Sequence, residues 1–376
     1  MTDRQRMIEV YTFGNPDKVP LYPGHPREST LKAWHAQGLP AGKDYREAMF
    51  EALGLQPPPA PKDYTDVGAV FKMIPQFKEE VLEHKNGHYI VRDWMGAITE
   101  ISDAFDYTYI REAKDFVTRK WHKFPVETRE EWQEMRKHFL IDDPARFPAD
   151  LEQRARRLQN RDYECAVHFN GPFWQMREFC GFENLCMMFI EDPDFIREMA
   201  EFWGDFVAQM LKKVVAAGIT LDAIYMSEDM AYKAHPMISH AMTREFLLPI
   251  YKNWVKIVRD SGTKVISMDS DGYIGDLIPI WIEAGINVAT PIEVAALCDI
   301  NEFRAKFGRR MAYEGGIDKR CMAAGGRALI DEIRRIEPVV RGGGYIPVCD
   351  HGVPPDISWQ NYLETSRLLA KITGWL

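Results

Sequence analysis

The stretch TKVISMDSDGYIGDLIPIWIEAGINVATPIE at residues 263–293 decides the fold class. It contains a short apolar run at 263–268, a polar loop, a helical pattern at 274–284 and a second apolar run at 286–292. Two short strands joined by a helix form the βαβ unit of a parallel sheet. The chain is therefore predicted to belong to the α/β class.

The same alternation of strand and helix extends over the chain from about residue 163 onward. Further strands are predicted at 163–169, 221–227, 310–315 and 344–349. Amphipathic helices lie between or after the strands, at about 243–260, 299–307, 326–337 and 358–374. A seventh strand is predicted at Lys18–Tyr22. Seven or eight parallel strands favour a (β/α)8 barrel over an open doubly wound sheet, and no GxGxxG motif follows a strand.

Residues 1–160 have a different pattern, rich in proline, aromatic and charged residues. HYIVRDWMGAITEIS at 88–102 is predicted as a β-hairpin and REEWQEMRKHFL at 129–140 as a helix. We expect this region to contribute the first barrel strand and to cover part of the barrel mouth as a cap, while residues 161–376 form the remainder of the barrel.

Composition and charge exclude several classes of function. The chain has 376 residues, 46% of them hydrophobic, and 47 Lys plus Arg against 56 Asp plus Glu give a net charge of -9. This charge argues against nucleic acid as a partner. No apolar run approaches the roughly 20 residues that span a bilayer, and Met1–Val10 lacks a signal-peptide core, so a cytoplasmic protein without a membrane partner is expected. The six cysteines form no CxxC pair and are expected to be reduced thiols.

Polar side chains follow the predicted strands at the edge where the chemistry of such barrels gathers. They are His168, Glu228, Asp269, Asp271, Glu293, Glu314, Cys349 and His351. Helix capping is an alternative explanation for the aspartates. It does not explain the glutamates, since Glu is a poor cap and is seldom buried without a partner.

Two of these segments suggest a metal site. Asp269 and Asp271 are two residues apart, so both carboxylates lie on one side of an extended chain, where their repulsion favours a bound cation. His351 could complete a set of oxygen and nitrogen ligands, with Cys349 on the same side by the same rule. Structural roles for His351 and Cys349 stay open. Cys349 or Glu293 is an alternative third ligand if Asp269 instead caps the next helix.

Three stretches resemble the uroporphyrinogen decarboxylase (URO-D) superfamily. They are SMDSDGYIGDLIPIWIEAGINVATPIE at 267–293, FGRRMAYEGGID at 307–318 and GGGYIPVCDHGVPPDISWQNYLE at 342–364. NPDKVPLYPGHPREST at 15–30 is similar to that superfamily's first strand. The resemblance covers most of 160–376 and implies a distorted (β/α)8 barrel.

The superfamily contains porphyrinogen decarboxylases and also zinc methyltransferases that move methyl groups between corrinoid proteins and thiols or methyl ethers. True decarboxylases carry an RQAGR segment after the first strand that binds substrate propionates. This chain has PGHPREST there, with Arg27 alone. It is more similar to the methyltransferase branch, which has a His-x-Cys pair at the positions of Asp269 and Asp271 and a Cys at that of His351. Oxygen and nitrogen thus replace the thiolates of that branch.

The resemblance implies a corrinoid-dependent methyltransferase of the O-demethylase type. Its substrate would be a small methylated or methoxylated molecule, and a partner protein would supply the corrinoid (cobalamin). Zinc would be held by Asp269, Asp271 and His351, with Cys349 as a further candidate. Glu228, His168 and Glu314 would orient the substrate or transfer a proton. The alternatives are a metal-independent decarboxylase of a small carboxylate and a non-catalytic binding protein, against which the acidic strand ends argue.

Overall fold

The structure is a computed structural model that describes residues 1–58, 67–106 and 117–376. In these ranges the chain forms two sheets. The first is an antiparallel meander of β1 (Glu80–Lys85), β2 (His88–Arg92), β3 (Ile98–Ser102) and β4 (Arg119–Lys123). The second is a parallel sheet of β5 (Ala166–Asn170), β6 (Ala223–Ser227), β7 (Val265–Asp269), β8 (Val288–Thr290), β9 (Ala312–Ile317) and β10 (Tyr345–Cys349).

The helices fall into two groups. Those before the parallel sheet are α1 (Asp3–Tyr11), α2 (Glu28–Ala36), α3 (Tyr45–Ala52), α4 (Arg129–Met135) and α5 (Leu151–Leu158). Those that accompany it are α6 (Pro172–Cys180), α7 (Phe182–Glu191), α8 (Pro193–Ala216), α9 (Leu248–Asp260), α10 (Ile278–Ala284), α11 (Ile300–Phe307), α12 (Lys319–Ala324), α13 (Gly326–Arg341) and α14 (Trp359–Ile372). A short turn, His240–Met242, and a π-helical turn, Thr243–Leu247, lead into α9.

The predicted α/β class is confirmed, because strands of the parallel sheet are neighbours in chain order and helices connect them. The hairpin predicted at 88–102 is also confirmed, with His88 opposite Ser102. The division of the chain at residue 160 stays a prediction. No helix in the described part of the chain is both long and apolar enough to cross a membrane.

Helix α1 closes the amino-terminal end of the barrel. Met7, Val10 and Tyr11 pack against the first residues of the strands, in a cluster that includes Ala166 and Ala223. Since side chains alternate along a strand, this cluster identifies the face of the sheet that looks into the barrel lumen.

A partly buried ion pair fixes α1 to the sheet. Both guanidinium nitrogens of Arg4 that face Asp222 lie 2.9 Å from its carboxylate oxygens. Asp222 stands directly before β6 and is 5% exposed. The floor of the lumen is thus built by the first residues of the chain.

The segment predicted as a strand at Lys18–Tyr22 does not form one. Pro20 and Pro23 lack the N–H groups that a ladder requires. The chain that follows still lies beside β10, because the amide of Cys349 donates to the carbonyl of Pro23 at 2.9 Å and Pro26 bridges Val353. Among the described residues no strand ladder joins β10 to β5, so the barrel is distorted.

Candidate active site

A hydrogen-bonded row crosses three neighbouring strands on the lumen face. His168 Nε2 lies 2.8 Å from Ser227 Oγ, and Ser227 Oγ lies 3.3 Å from Asp269 Oδ2. The register of β6 and β7 places Ser227 beside Asp269. His168 stands two positions after Ala166, a residue of the lumen cluster, and its imidazole is exposed. The row therefore opens into the lumen.

The protonation states of the row are set by burial and by charge. Burial, together with the charges of Asp229 and Asp271, raises the pKa of Asp269 to about 8. Although the imidazole of His168 reaches solvent, the protein around it displaces water and lowers its pKa, and the charge of Lys72 lowers this pKa further. At neutral pH, Asp269 keeps its proton and His168 is a neutral base. A proton can then pass from the carboxyl through the serine hydroxyl to the imidazole.

A second pair lies at the mouth, beyond the strand ends. His351 Nε2 lies 3.3 Å from Asp271 Oδ2. His351 Nδ1 lies 2.8 Å from the amide nitrogen of Gly352, which donates to it, and 3.3 Å from Arg27 Nη2. With two donors at Nδ1, the neutral imidazole carries its proton on Nε2 and donates to Asp271. The carboxylate of Asp271 raises the pKa of His351.

Two further carboxylates hold the loop that carries Asp271. The amide of Asp271 donates to Asp229 Oδ1 at 3.0 Å, and the amide of Gly272 donates to Glu293 Oε2 at 3.0 Å. Gly272 has φ +85°, and a Cβ there would lie 2.3 Å from the carbonyl oxygen of Ala231. Only glycine fits this turn without strain. Asp229 and Glu293 therefore act by positioning Asp271.

Glu228 lies at the amino terminus of α6 and is fully buried. Its carboxylate accepts hydrogen bonds from the amide of Trp174 at 2.8 Å, from that of Phe173 at 3.4 Å and from the hydroxyl of Tyr251. A Cβ at Gly171 would lie 2.2 Å from this carboxylate, so glycine leaves the room that Glu228 fills. This arrangement gives Glu228 a structural role, and its predicted contact with substrate stays a prediction.

Glu314 lies on the lumen side of β9 near the floor. The hydroxyl of Tyr11 donates to it, and burial raises its pKa. A similar pair lies nearby, where the hydroxyl of Tyr225 donates to Glu164 at 2.5 Å and burial raises the pKa of Glu164 to about 7. Glu314 and Glu164 thus lie at the floor of the lumen, below His168, and can take up protons.

Cys349 points away from the other predicted metal ligands. Ile346 and Val348 of β10 belong to the lumen cluster, whereas Cys349 packs in the outer core with Tyr362. Burial raises the pKa of its thiol to about 12, so the thiolate that a metal requires is disfavoured.

The four predicted metal ligands do not assemble into a coordination sphere. Asp271 and His351 meet, and Asp269 lies close enough to Asp271 for the charges of the two carboxylates to interact. Yet within 1–58, 67–106 and 117–376 no three His, Cys, Asp or Glu side chains are grouped so that they could hold a metal ion. The residues do not fit a zinc ion in this arrangement.

A sequence model of the uroporphyrinogen decarboxylase (URO-D) family matches residues 121–367. The chain belongs to this family. The uroporphyrinogen decarboxylase of Methylococcus capsulatus (strain ATCC 33009 / NCIMB 11132 / Bath) is 23% identical over an alignment of 247 residues that covers 58% of this chain. The match spans 63% of that relative's length, less than two thirds.

Solved structures extend the comparison beyond the region that the URO-D family model matches. A methyltransferase from Methanosarcina mazei covers 99% of both chains at 14% identity with a TM-score of 0.57, which shows a shared fold. A B12-independent methionine synthase from Shewanella sp. W3-18-1, solved with selenomethionine, covers 61% of this chain and 67% of its own at 12% identity. Its TM-score of 0.36 is too low for any inference.

Sequence reasoning missed Ser227 and Lys72. Ser227 stands two positions after Tyr225 and four after Ala223, so a period of two along β6 could have placed it on the lumen face. Lys72 lies in a segment without regular secondary structure, and no periodic signal marks it.

Proposed function

We propose that this protein is a methyltransferase that moves a methyl group from a small methoxylated or methylated molecule to the corrinoid of a partner protein. The row of His168, Ser227 and Asp269 carries the proposal. When a methyl group leaves, the atom that it leaves behind gains an electron pair and takes up a proton. The neutral imidazole of His168 reaches the lumen and can receive a proton from Asp269 through Ser227. It can therefore supply the proton that the demethylated atom takes up.

The fold of the solved methyltransferase supports the same proposal. It corresponds to this chain over nearly its full length, including the residues before 121 that lie outside the match to the family model. The similarity concerns fold, and the activity is inferred here from the proton-donating row.

The charges at the mouth argue against a polycarboxylate such as uroporphyrinogen. Arg177 Nη2 lies 3.7 Å from Asp229 Oδ2, and Lys319 Nζ lies 3.7 Å from Glu293 and 3.5 Å from Asp350. These cations already face carboxylates. A substrate with many carboxylates would need a cluster of unpaired arginines. A neutral methyl ether does not need such a cluster of arginines.

Zinc remains a prediction for this protein. Asp269, Asp271 and His351 offer the oxygen and nitrogen donors that zinc accepts, and the ion would act as a Lewis acid toward the ether oxygen. Because these side chains are not arranged around an ion, no step of the proposed reaction is assigned to a metal. The proton transfer of the proposed reaction is assigned to His168.

The corrinoid spectrum tests the proposed function. The purified protein is incubated with a Co(I) corrinoid and, separately, with methoxylated aromatics, methylamines and methyl thiols. We expect conversion to methyl-Co(III) with the methoxylated compounds. A parallel incubation with uroporphyrinogen tests the decarboxylase alternative. Carbon dioxide release without any methyl transfer would contradict the proposal.

A further inference from the structure

Residues 67–73 lack regular secondary structure but are fixed to the barrel. The ring of Phe71 stacks on Phe169 of β5, with centroids 4.9 Å apart. Arg146, which is fully buried, donates to the carbonyl of Val70 at 3.0 Å and also to the carbonyl of Lys72. A buried guanidinium that binds main-chain carbonyls fixes the path of the backbone. The position of Lys72 is therefore well determined.

The side chain of Lys72 does not pack in the outer core, unlike those of its neighbours. Phe71 and Met73 on either side of it are 6% and 8% exposed and belong to the outer core, whereas Lys72 is exposed. Phe71 packs on Phe169, the outward neighbour of His168. Since β5 is the last strand at one edge of the parallel sheet, this contact places Lys72 near that edge, with its side chain turned away from the outer core. The effect of the Lys72 charge on the pKa of His168 is consistent with this proximity.

Lys72 also differs from the other cations described above, because it has no carboxylate partner among the described residues. Arg177 and Lys319 face carboxylates at 3.7 Å or less, and Arg27 contacts His351 at 3.3 Å. For Lys72, no ion pair with any residue in the described ranges is found. An exposed ammonium beside a neutral histidine is suited to an oxygen on which negative charge develops.

We propose that Lys72 is a catalytic residue that binds the ether oxygen of a methoxylated substrate. This inference rests on the proposed methyl transfer. The methyl carbon to oxygen bond breaks, and its electron pair stays on oxygen. The methyl group is transferred to the reduced corrinoid, which supplies the electron pair of the new cobalt to carbon bond. Lys72 stabilises the charge on oxygen, and His168 donates the proton.

The same charge selects the class of substrate. A methyl ether is neutral and gains negative charge at oxygen as the reaction proceeds, so the ammonium of Lys72 stabilises its transition state. A methylammonium ion is repelled by Lys72 before the reaction begins. We therefore expect methyl ethers to be used in preference to methylamines.

The first test measures the placement of Lys72 without any substrate. The variants are Lys72→Met, Lys72→Arg and, as a control, Lys256→Met, which removes a lysine on the exposed surface of α9. The pKa of His168 is followed by NMR, with its signal assigned by loss in His168→Gln. We expect the pKa to rise in Lys72→Met and to stay unchanged in the other two. An unchanged pKa in Lys72→Met would contradict the placement.

The second test measures methyl transfer to the corrinoid. We expect kcat with a methyl ether to fall by about 10²–10³-fold in Lys72→Met, the usual cost of removing one group that stabilises an oxyanion. Lys72→Arg keeps the positive charge and should retain part of this kcat. Full turnover in Lys72→Met would contradict the role of Lys72 but not the proposed function. No methyl transfer by the unaltered protein would contradict both the proposed function and the role of Lys72.

Discussion

Asp271 and His351, 80 positions apart in the chain, meet at the barrel mouth with Oδ2 3.3 Å from Nε2. Each stands just beyond a strand, Asp271 after β7 and His351 after β10. The contact joins the loops of two strands that are not neighbours in the sheet. It joins the two parts of the predicted metal site across the mouth.

Asp271→Asn should lower the pKa of His351. The carboxylate stabilises the imidazolium, so its removal leaves burial and the charges of Lys319 and Arg27, which act in the opposite direction. We expect the pKa of His351 to fall to its ordinary value or below it. NMR titration measures it, with Asp260→Asn on the exposed end of α9 as the control. An unaltered pKa in Asp271→Asn would show that the pair does not form in solution.

Asp269→Asn should raise the free energy of unfolding at alkaline pH. Because the pKa of Asp269 is raised to about 8, the folded state holds a proton that the unfolded state has lost above its ordinary value near 4. The carboxyl therefore destabilises the fold increasingly as pH rises toward 8. Urea unfolding should show a larger gain for Asp269→Asn at pH 8.5 than at pH 5.5. An equal gain at both values would contradict the raised pKa.

Glu228→Ala should destabilise the protein by about 2 kcal/mol or more, since it leaves buried donors at the start of α6 and on Tyr251 without an acceptor. Glu228→Gln keeps an acceptor oxygen and should cost less. Equilibrium unfolding in urea measures both. If Glu228→Ala unfolds like the unaltered protein yet abolishes methyl transfer, the structural role is incorrect and a catalytic one is favoured.

Removal of residues 1–14 should destabilise the barrel by roughly 5 kcal/mol, because each large apolar side chain that α1 buries contributes about 1.5–3 kcal/mol. Thr2→Ala, which removes only the cap of α1, should cost about 1 kcal/mol. Urea unfolding compares the two variants. A truncated protein as stable as Thr2→Ala would show that the floor of the lumen does not depend on α1.

The fold was largely predictable because its strands carry a strong signal. Val265, Ile266 and Met268 of β7 are buried on both faces, as expected for a parallel strand covered by helices on one side and the lumen on the other. Lys18–Tyr22 has a similar apolar run, but Pro20 within it and Pro23 after it lack the N–H groups that a ladder requires. Composition alone does not distinguish these two cases.

The site was predictable only in part, because the rule that places residues i and i+2 on one side holds for extended chain. β7 ends at Asp269 and β10 ends at Cys349, so Asp271 and His351 lie in the turns that follow. The rule thus placed Cys349 beside His351, whereas the thiol lies in the outer core. Lys72 was missed because its position depends on Arg146, 74 residues later in the chain.

Methylation of a Co(I) corrinoid in a single turnover tests the central claim that the lumen row transfers the proton of a methyl transfer reaction. The unaltered protein is compared with His168→Ala and with His240→Ala, which changes an exposed histidine outside the lumen. We predict a methyl-ether-dependent rate that falls by about 10²–10⁴-fold in His168→Ala and is retained in His240→Ala. Equal rates in the unaltered protein and His168→Ala would contradict the account.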